Sequence, residues 1–77
     1  MSGRLPACTP AQAERVLRRA GFILHHSRGW HRYYWHAGRR VMVTIACHAR
    51  DLKRGTLTDI IKQAGLTIDE FTSLLRG

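Results

Sequence analysis

The chain has 77 residues, 44% of them hydrophobic, and its thirteen Lys+Arg against five Asp+Glu leave a formal net charge of +8. Such a charge selects polyanions as partners, whether nucleic acid, an acidic membrane surface or an acidic protein, and it excludes cationic substrates. The length suits one domain, residues 1–77, with a modest core that buries roughly 60% of the unfolded surface, and the apolar content excludes a charge-rich disordered tail.

Residues Met1 to Pro6 hold no apolar run of signal type. The longest apolar-leaning stretch, Val41 to Cys47, falls far short of the roughly 20 residues that a spanning helix needs. A cytoplasmic location with no membrane partner is therefore expected. Cys8 and Cys47 lack Cys-x-x-Cys spacing and are too few for a disulfide framework, so both are read as reduced thiols without chemistry.

Thr9 followed by Pro10 starts the first element. A threonine side chain caps exposed amides, and proline suits the first helical position because it has no N–H to leave unpaired. The spacing predicts a helix from Pro10 to Ala20, with Ala13, Val16, Leu17 and Ala20 on one apolar stripe and Gly21 at its C-cap. Arg15, Arg18 and Arg19 lie off the stripe as a solvated face.

Phe22 to His26 reads as a first strand, and Ser27-Arg28-Gly29 as the turn after it. The chain is organised around the next stretch, Arg28 to Arg40, which sets aromatics, histidines and arginines between two apolar runs. Ala37-Gly38 at its end is expected to be a two-residue hairpin turn, with Gly38 supplying positive φ. Alternation along that strand points Trp30, Arg32, Tyr34 and His36 one way and His31, Tyr33 and Trp35 the other. One of those faces must be buried, and the other can meet a ligand. Arg39 to Ala46 is the third strand, with Val41, Val43 and Ile45 as its apolar face.

A polar loop from Cys47 to Gly55 leads to a helix capped by Thr56, in which Leu57, Ile60, Ile61 and Ala64 form the stripe and Gly65 the stop. Thr67 caps a last short helix bearing Ile68, Phe71, Leu74 and Leu75 on one side. The order α-β-β-β-α-α implies an α+β fold: a three-stranded antiparallel meander with helices on one face and the other face open.

The last two helices have to be weighed as a DNA-binding helix-turn-helix. Asp69 and Glu70 open the second of them, where phosphate would repel carboxylates, so packing helices are the better reading. A DNA-binding regulator is correspondingly disfavoured. The five histidines, His25, His26, His31, His36 and His48, show no metal-site spacing, and no metal is assigned.

His31 stands apart through its company. Arg28 and Arg32 flank it, and Gly29 permits close backbone approach. If the polyanion is RNA, its own 2′-hydroxyl is the nucleophile. The protein then supplies a base for that proton, an acid for the leaving 5′-oxygen and cations for the growing charge on phosphorus. A histidine, with a reference pKa of about 6.5, can serve in either proton transfer, and arginines can stabilise the transition state. No cofactor is needed. The plainer alternative is a hydrogen-bonded surface histidine on a non-catalytic RNA-binding module.

The segments Ala20-Gly21-Phe22, Gly29-Trp30-His31-Arg32-Tyr33-Tyr34, Gly38-Arg39-Arg40-Val41, Leu52-Lys53-Arg54-Gly55-Thr56-Leu57 and Ile61-Lys62-Gln63-Ala64-Gly65-Leu66-Thr67 resemble, in order and spacing, the HicA (YcfA-like) toxin family. The resemblance implies a double-stranded-RNA-binding-domain-like fold and a metal-independent endoribonuclease that cleaves mRNA and is neutralised by a HicB-type antitoxin. It also implies that His31 is the catalytic histidine. Trp30 stands where the family usually has serine or glycine. Tyr34 matches the family's aromatic and is expected in the core, which puts His31, Tyr33 and Trp35 on the open face, where the two aromatics can stack bases. Arg32 would then share Tyr34's side, with its stem along the sheet edge and its guanidinium in water. The expected phosphate contacts are Arg28, Arg39, Arg40, Lys53 and Arg54, and Arg32 is expected among the RNA-binding residues with them.

Overall fold

The computed structural model describes residues 5–48 and 50–77. The element order is α1 (Pro10–Arg19), β1 (Ile23–Arg28), β2 (His31–His36), β3 (Val41–Ala46), α2 (Arg54–Ala64) and α3 (Ile68–Arg76), as the apolar periodicities predict. The strands form an antiparallel sheet in the order β1-β2-β3. The arrangement is α+β and fits a double-stranded-RNA-binding-domain-like fold.

Helix ends follow local chemistry. Thr9 and Gln12 form a reciprocal capping box at the start of α1, with Pro10 in the first turn. Past Ala20, Gly21 adopts φ +97°, and the N–H groups of Gly21 and Phe22 donate to the carbonyls of Arg18 and Leu17. This is the left-handed termination that glycine allows without a Cβ penalty. Thr67 and Glu70 form a second capping box on α3, so Glu70 is part of a helix start, as the packing reading required.

Four boundaries differ from expectation. Strand β1 runs on through Ser27 and Arg28, and the turn is Gly29-Trp30, with Arg28 paired directly to His31. Gly29 has φ +58° and Trp30 has none of that sign, the pattern of a two-residue type II′ hairpin, so Trp30 sits in the turn and not on the strand. The second hairpin turns over Ala37 to Arg40, and its left-handed residue is Arg40 at φ +58°, not Gly38. His36 closes that turn, its carbonyl accepting from Arg40 N–H at 2.7 Å and its Nδ1 from Arg39 N–H at 3.0 Å. Strand β3 accordingly begins at Val41. Helix α2 starts at Arg54 with Lys53 as its N-cap, placing Thr56 inside the first turn. That first turn precedes the apolar stripe, so periodicity does not reveal it.

The core lies between the helices and one sheet face. Tyr34, Val43 and Ile45 from the sheet meet Val16 and Leu17 of α1, Leu57, Ile60 and Ile61 of α2 and Phe71 of α3, all buried. Fully burying each large apolar side chain contributes about 1.5–3 kcal/mol. Leu52 N–H donates to the carbonyl of buried Cys8 at 2.8 Å, which ties the segment before α1 to the loop before α2.

Candidate active site on the open face of the sheet

The pleat of β2 sorts its residues onto two faces. Tyr34 is fully buried against the helices, so Arg32 and His36 share its side while His31, Tyr33 and Trp35 look away, as expected. Pairing across the sheet completes three rows on the open face: Arg28, His31 and Ala46; His26, Tyr33 and Thr44; Ile23, Trp35 and Met42. The face therefore grades from cationic beside the Gly29-Trp30 turn to apolar at the far end, where Ile23 is 62% exposed.

His31 and Arg28 are both exposed and directly opposite one another. Residues so paired have Cβ atoms about 4.5–5.5 Å apart, so a phosphate can meet the imidazole and the guanidinium together. Next to them Trp30 projects from the turn, 66% exposed, with its ring centroid 6.2 Å from that of His48. His48 in turn lines a cleft of about 240 Å³ with Ala46, Asp51, Lys53 and Thr56.

In the middle row His26 lies flat on Tyr33, with centroids 4.2 Å apart and planes at 10°. Its Nδ1 is 2.8 Å from that of His25, the extra residue of a bulge between Leu24 and His26, so one ring donates the proton of that bond. A base stacking here would meet the His26–Tyr33 pair, not Tyr33 alone.

Arg32 belongs to the other face. Its Nη1 lies 2.9 Å from Glu14 Oε1, and the same oxygen accepts from the Tyr34 hydroxyl, while Cys47 Sγ lies 3.4 Å from Oε2. Glu14 is only 5% exposed. Burial by itself would raise its pKa, yet the bonds from Tyr34, Arg32 and Cys47, joined by the Arg32 charge, outweigh that and hold the carboxyl below its ordinary value. Burial, followed by the bond to Glu14, pushes Tyr34 up to about 12 and also raises the Cys47 thiol. The network joins α1 to β2 and to Cys47, the residue after β3, on the helix side of the sheet.

The remaining sequence-predicted cations are dispersed. Arg39 and Arg40 sit at the opposite end of β2 from His31, roughly 16 Å away at 3.3 Å per residue. Arg39 Nη1 donates to the Ala64 carbonyl at 2.7 Å, capping the C-terminal end of α2. Lys53 lines the His48 cleft, whereas Arg54 lines a different hollow beside Leu5 and Pro6.

The sequence does not point to Glu14, and it places His26 only at a strand end and His48 only in a loop from which it could approach a phosphate. Glu14 is the only acid before Asp51, a signal available from charge order. The pairings of His26 and His48 depend on the bulge and on where the first turn falls. Among the described residues, no group of three or more His, Cys, Asp or Glu side chains is placed to hold a metal ion, and no helix is long and apolar enough to cross a membrane.

The cationic end thus gathers an exposed imidazole, an opposed guanidinium, an indole and a second imidazole beside a lysine. A family model described as the HicA toxin of bacterial toxin-antitoxin matches residues 11–66, from the first turn of α1 to the residue after the α2 cap. No curated protein matches the chain. The matched stretch holds all three strands, His31 and the cleft, and is well over half of the 77 residues: the chain belongs to the HicA toxin family of bacterial toxin-antitoxin systems, in which a toxin is paired with an antitoxin partner.

Proposed function

We propose that this toxin is a metal-independent endoribonuclease, an mRNA interferase whose cleavage of mRNA stops translation and growth. Residues 1–77 act as one domain in the cytoplasm, held inactive by a HicB-type antitoxin. The observation that carries this reading is the exposed His31 set across the strand pair from exposed Arg28 on a sheet face that no helix covers.

In the reaction, His31 exchanges a proton with the ribose 2′-oxygen or the 5′-leaving oxygen, and Arg28 meets the charge that develops on the phosphoryl oxygens. Lys53 extends the cationic track, and the His26–Tyr33 pair and Trp35 offer ring faces to unpaired bases, typically worth about 1–3 kcal/mol each. Arg39, Arg40 and Arg54 contribute long-range attraction at the margins, and Arg32 acts from beneath through Glu14. The chemistry calls on no cofactor.

The test is incubation of purified protein with single-stranded RNA in a chelating buffer at one fixed salt concentration. Wild type should cut, and His31→Ala should lose cleavage while retaining salt-sensitive RNA binding. RNA binding with no cleavage by wild type would leave a binding module in place of an enzyme.

A further inference from the structure

We infer that His48 is the second proton-transfer group of this site, acting on the far side of the scissile phosphate from His31. The inference rests on the endoribonuclease reading above and names a group which that reading leaves open.

Register places the two histidines on one face. His31 pairs with Ala46, and Cys47 N–H donates to the Trp30 carbonyl at 2.7 Å, so the β2–β3 ladder continues one residue beyond the end of β3. Cys47 turns its sulfur to Glu14 on the helix side. Alternation then returns His48 to the open side, where Ala46 and His31 already lie. Its ring packs tilted on Trp30, the residue next to His31 in the chain.

Spacing suits the task. His48 stands two residues beyond Ala46, the cross-strand partner of His31, and just past the end of β3; within a ladder that offset sets Cα atoms about 7–8 Å apart, within reach of long or aromatic side chains. Imidazoles carried on backbone so separated can reach one phosphodiester from two sides. The cleft that His48 shares with Lys53 gives the phosphate a cation on that side, as Arg28 does on the other. The charged and titratable groups around His48 are Asp51 and Lys53, which line its cleft, with His31 and Arg28 in the cross-strand row that ends at Ala46.

The step balances with these two groups alone. The imidazole that enters neutral removes the 2′-hydroxyl proton as the 2′-oxygen bonds to phosphorus. The bond from phosphorus to the 5′-oxygen breaks, and the ring that enters as imidazolium delivers its proton to that oxygen. The products are a 2′,3′-cyclic phosphate and a 5′-hydroxyl, and the two rings have exchanged protonation states, which solvent restores.

The experiment measures kcat/KM for RNA cleavage across pH for wild type, His48→Ala, His48→Gln and His31→Ala. Alongside it run thermal melts and binding of an all-2′-deoxy oligonucleotide of the same sequence. Wild type should give a bell, and both His48 variants should fall by about 10²–10⁴-fold and lose one limb, with melting and binding unchanged. His48 variants that keep wild-type rates, keep both limbs, or fall only in proportion to binding overturn the assignment while His31→Ala still identifies the enzyme. Cleavage indifferent to His31→Ala, or absent in wild type, removes the endoribonuclease reading itself.

Discussion

The two faces of the sheet are drawn from alternate residues of the same strands, yet they meet opposite environments. On the helix side Tyr34, Val43 and Ile45 are sealed, and the polar cluster of Glu14 with Tyr34, Arg32 and Cys47 is hydrogen-bonded throughout. On the open side Arg28 and His31 stand in solvent, and Ile23 is 62% exposed. A small domain has little room for polar groups in its core, so if the open face carries the proposed chemistry, chemistry and stability are separated by a period of two along each strand. Substitutions at neighbouring positions should therefore fail in different ways.

The largest expected effect is on the sealed side. Glu14→Ala leaves the buried Tyr34 hydroxyl without its acceptor, which by itself costs about 1–3 kcal/mol, and also removes the buried side chain's own packing, so denaturant melts should show the greatest loss of stability in the set. Comparable in size but opposite in kind, His31→Ala should lower the cleavage rate about 10²–10⁴-fold and shift stability by no more than about 0.5 kcal/mol. Tyr34→Phe comes next, removing one bond to an ionised carboxylate at a cost of about 1.5–3 kcal/mol with cleavage retained.

Acid sharpens the same contrast. The Glu14 carboxyl lies below its ordinary value in the folded chain, so the stability it confers is fully present above that ordinary value. It is lost as pH falls through the lower folded one. Melts between neutral and strongly acidic pH should show this loss in wild type and a flatter profile in Glu14→Gln. The smallest effects separate two arginines. Arg28→Ala should reduce the salt slope of RNA binding by about 1 without altering the melt. Arg39→Ala should leave that slope nearly intact and cost about 0.5–1.5 kcal/mol through the lost bond to the Ala64 carbonyl.

Much of this division was legible in the residues. The stripes of α1 and α2, the capping threonines and the alternation of β2 fixed the order of elements and the outward direction of His31, because each depends on local geometry. What escaped depends on tertiary pairing. Gly38 carries the residue type for a left-handed turn, but the turn spans four positions and Arg40 takes that conformation, with His36 satisfying the freed amides. The first turn falls on Gly29-Trp30, and that shift decides which residues face His31. Arg32 is exposed, as expected, yet its guanidinium pairs with Glu14 from a helix 18 residues away in sequence, a pairing that no local pattern encodes.

The most direct measurement uses an RNA substrate carrying a single 2′-deoxyribose on the 5′ side of a linkage that the wild-type protein cuts. If His31 works on the open face by moving the proton of an internal nucleophile, cleavage at that linkage should vanish while neighbouring linkages are still cut. Continued cleavage at the modified linkage would mean an outside nucleophile, and would contradict the role given to His31.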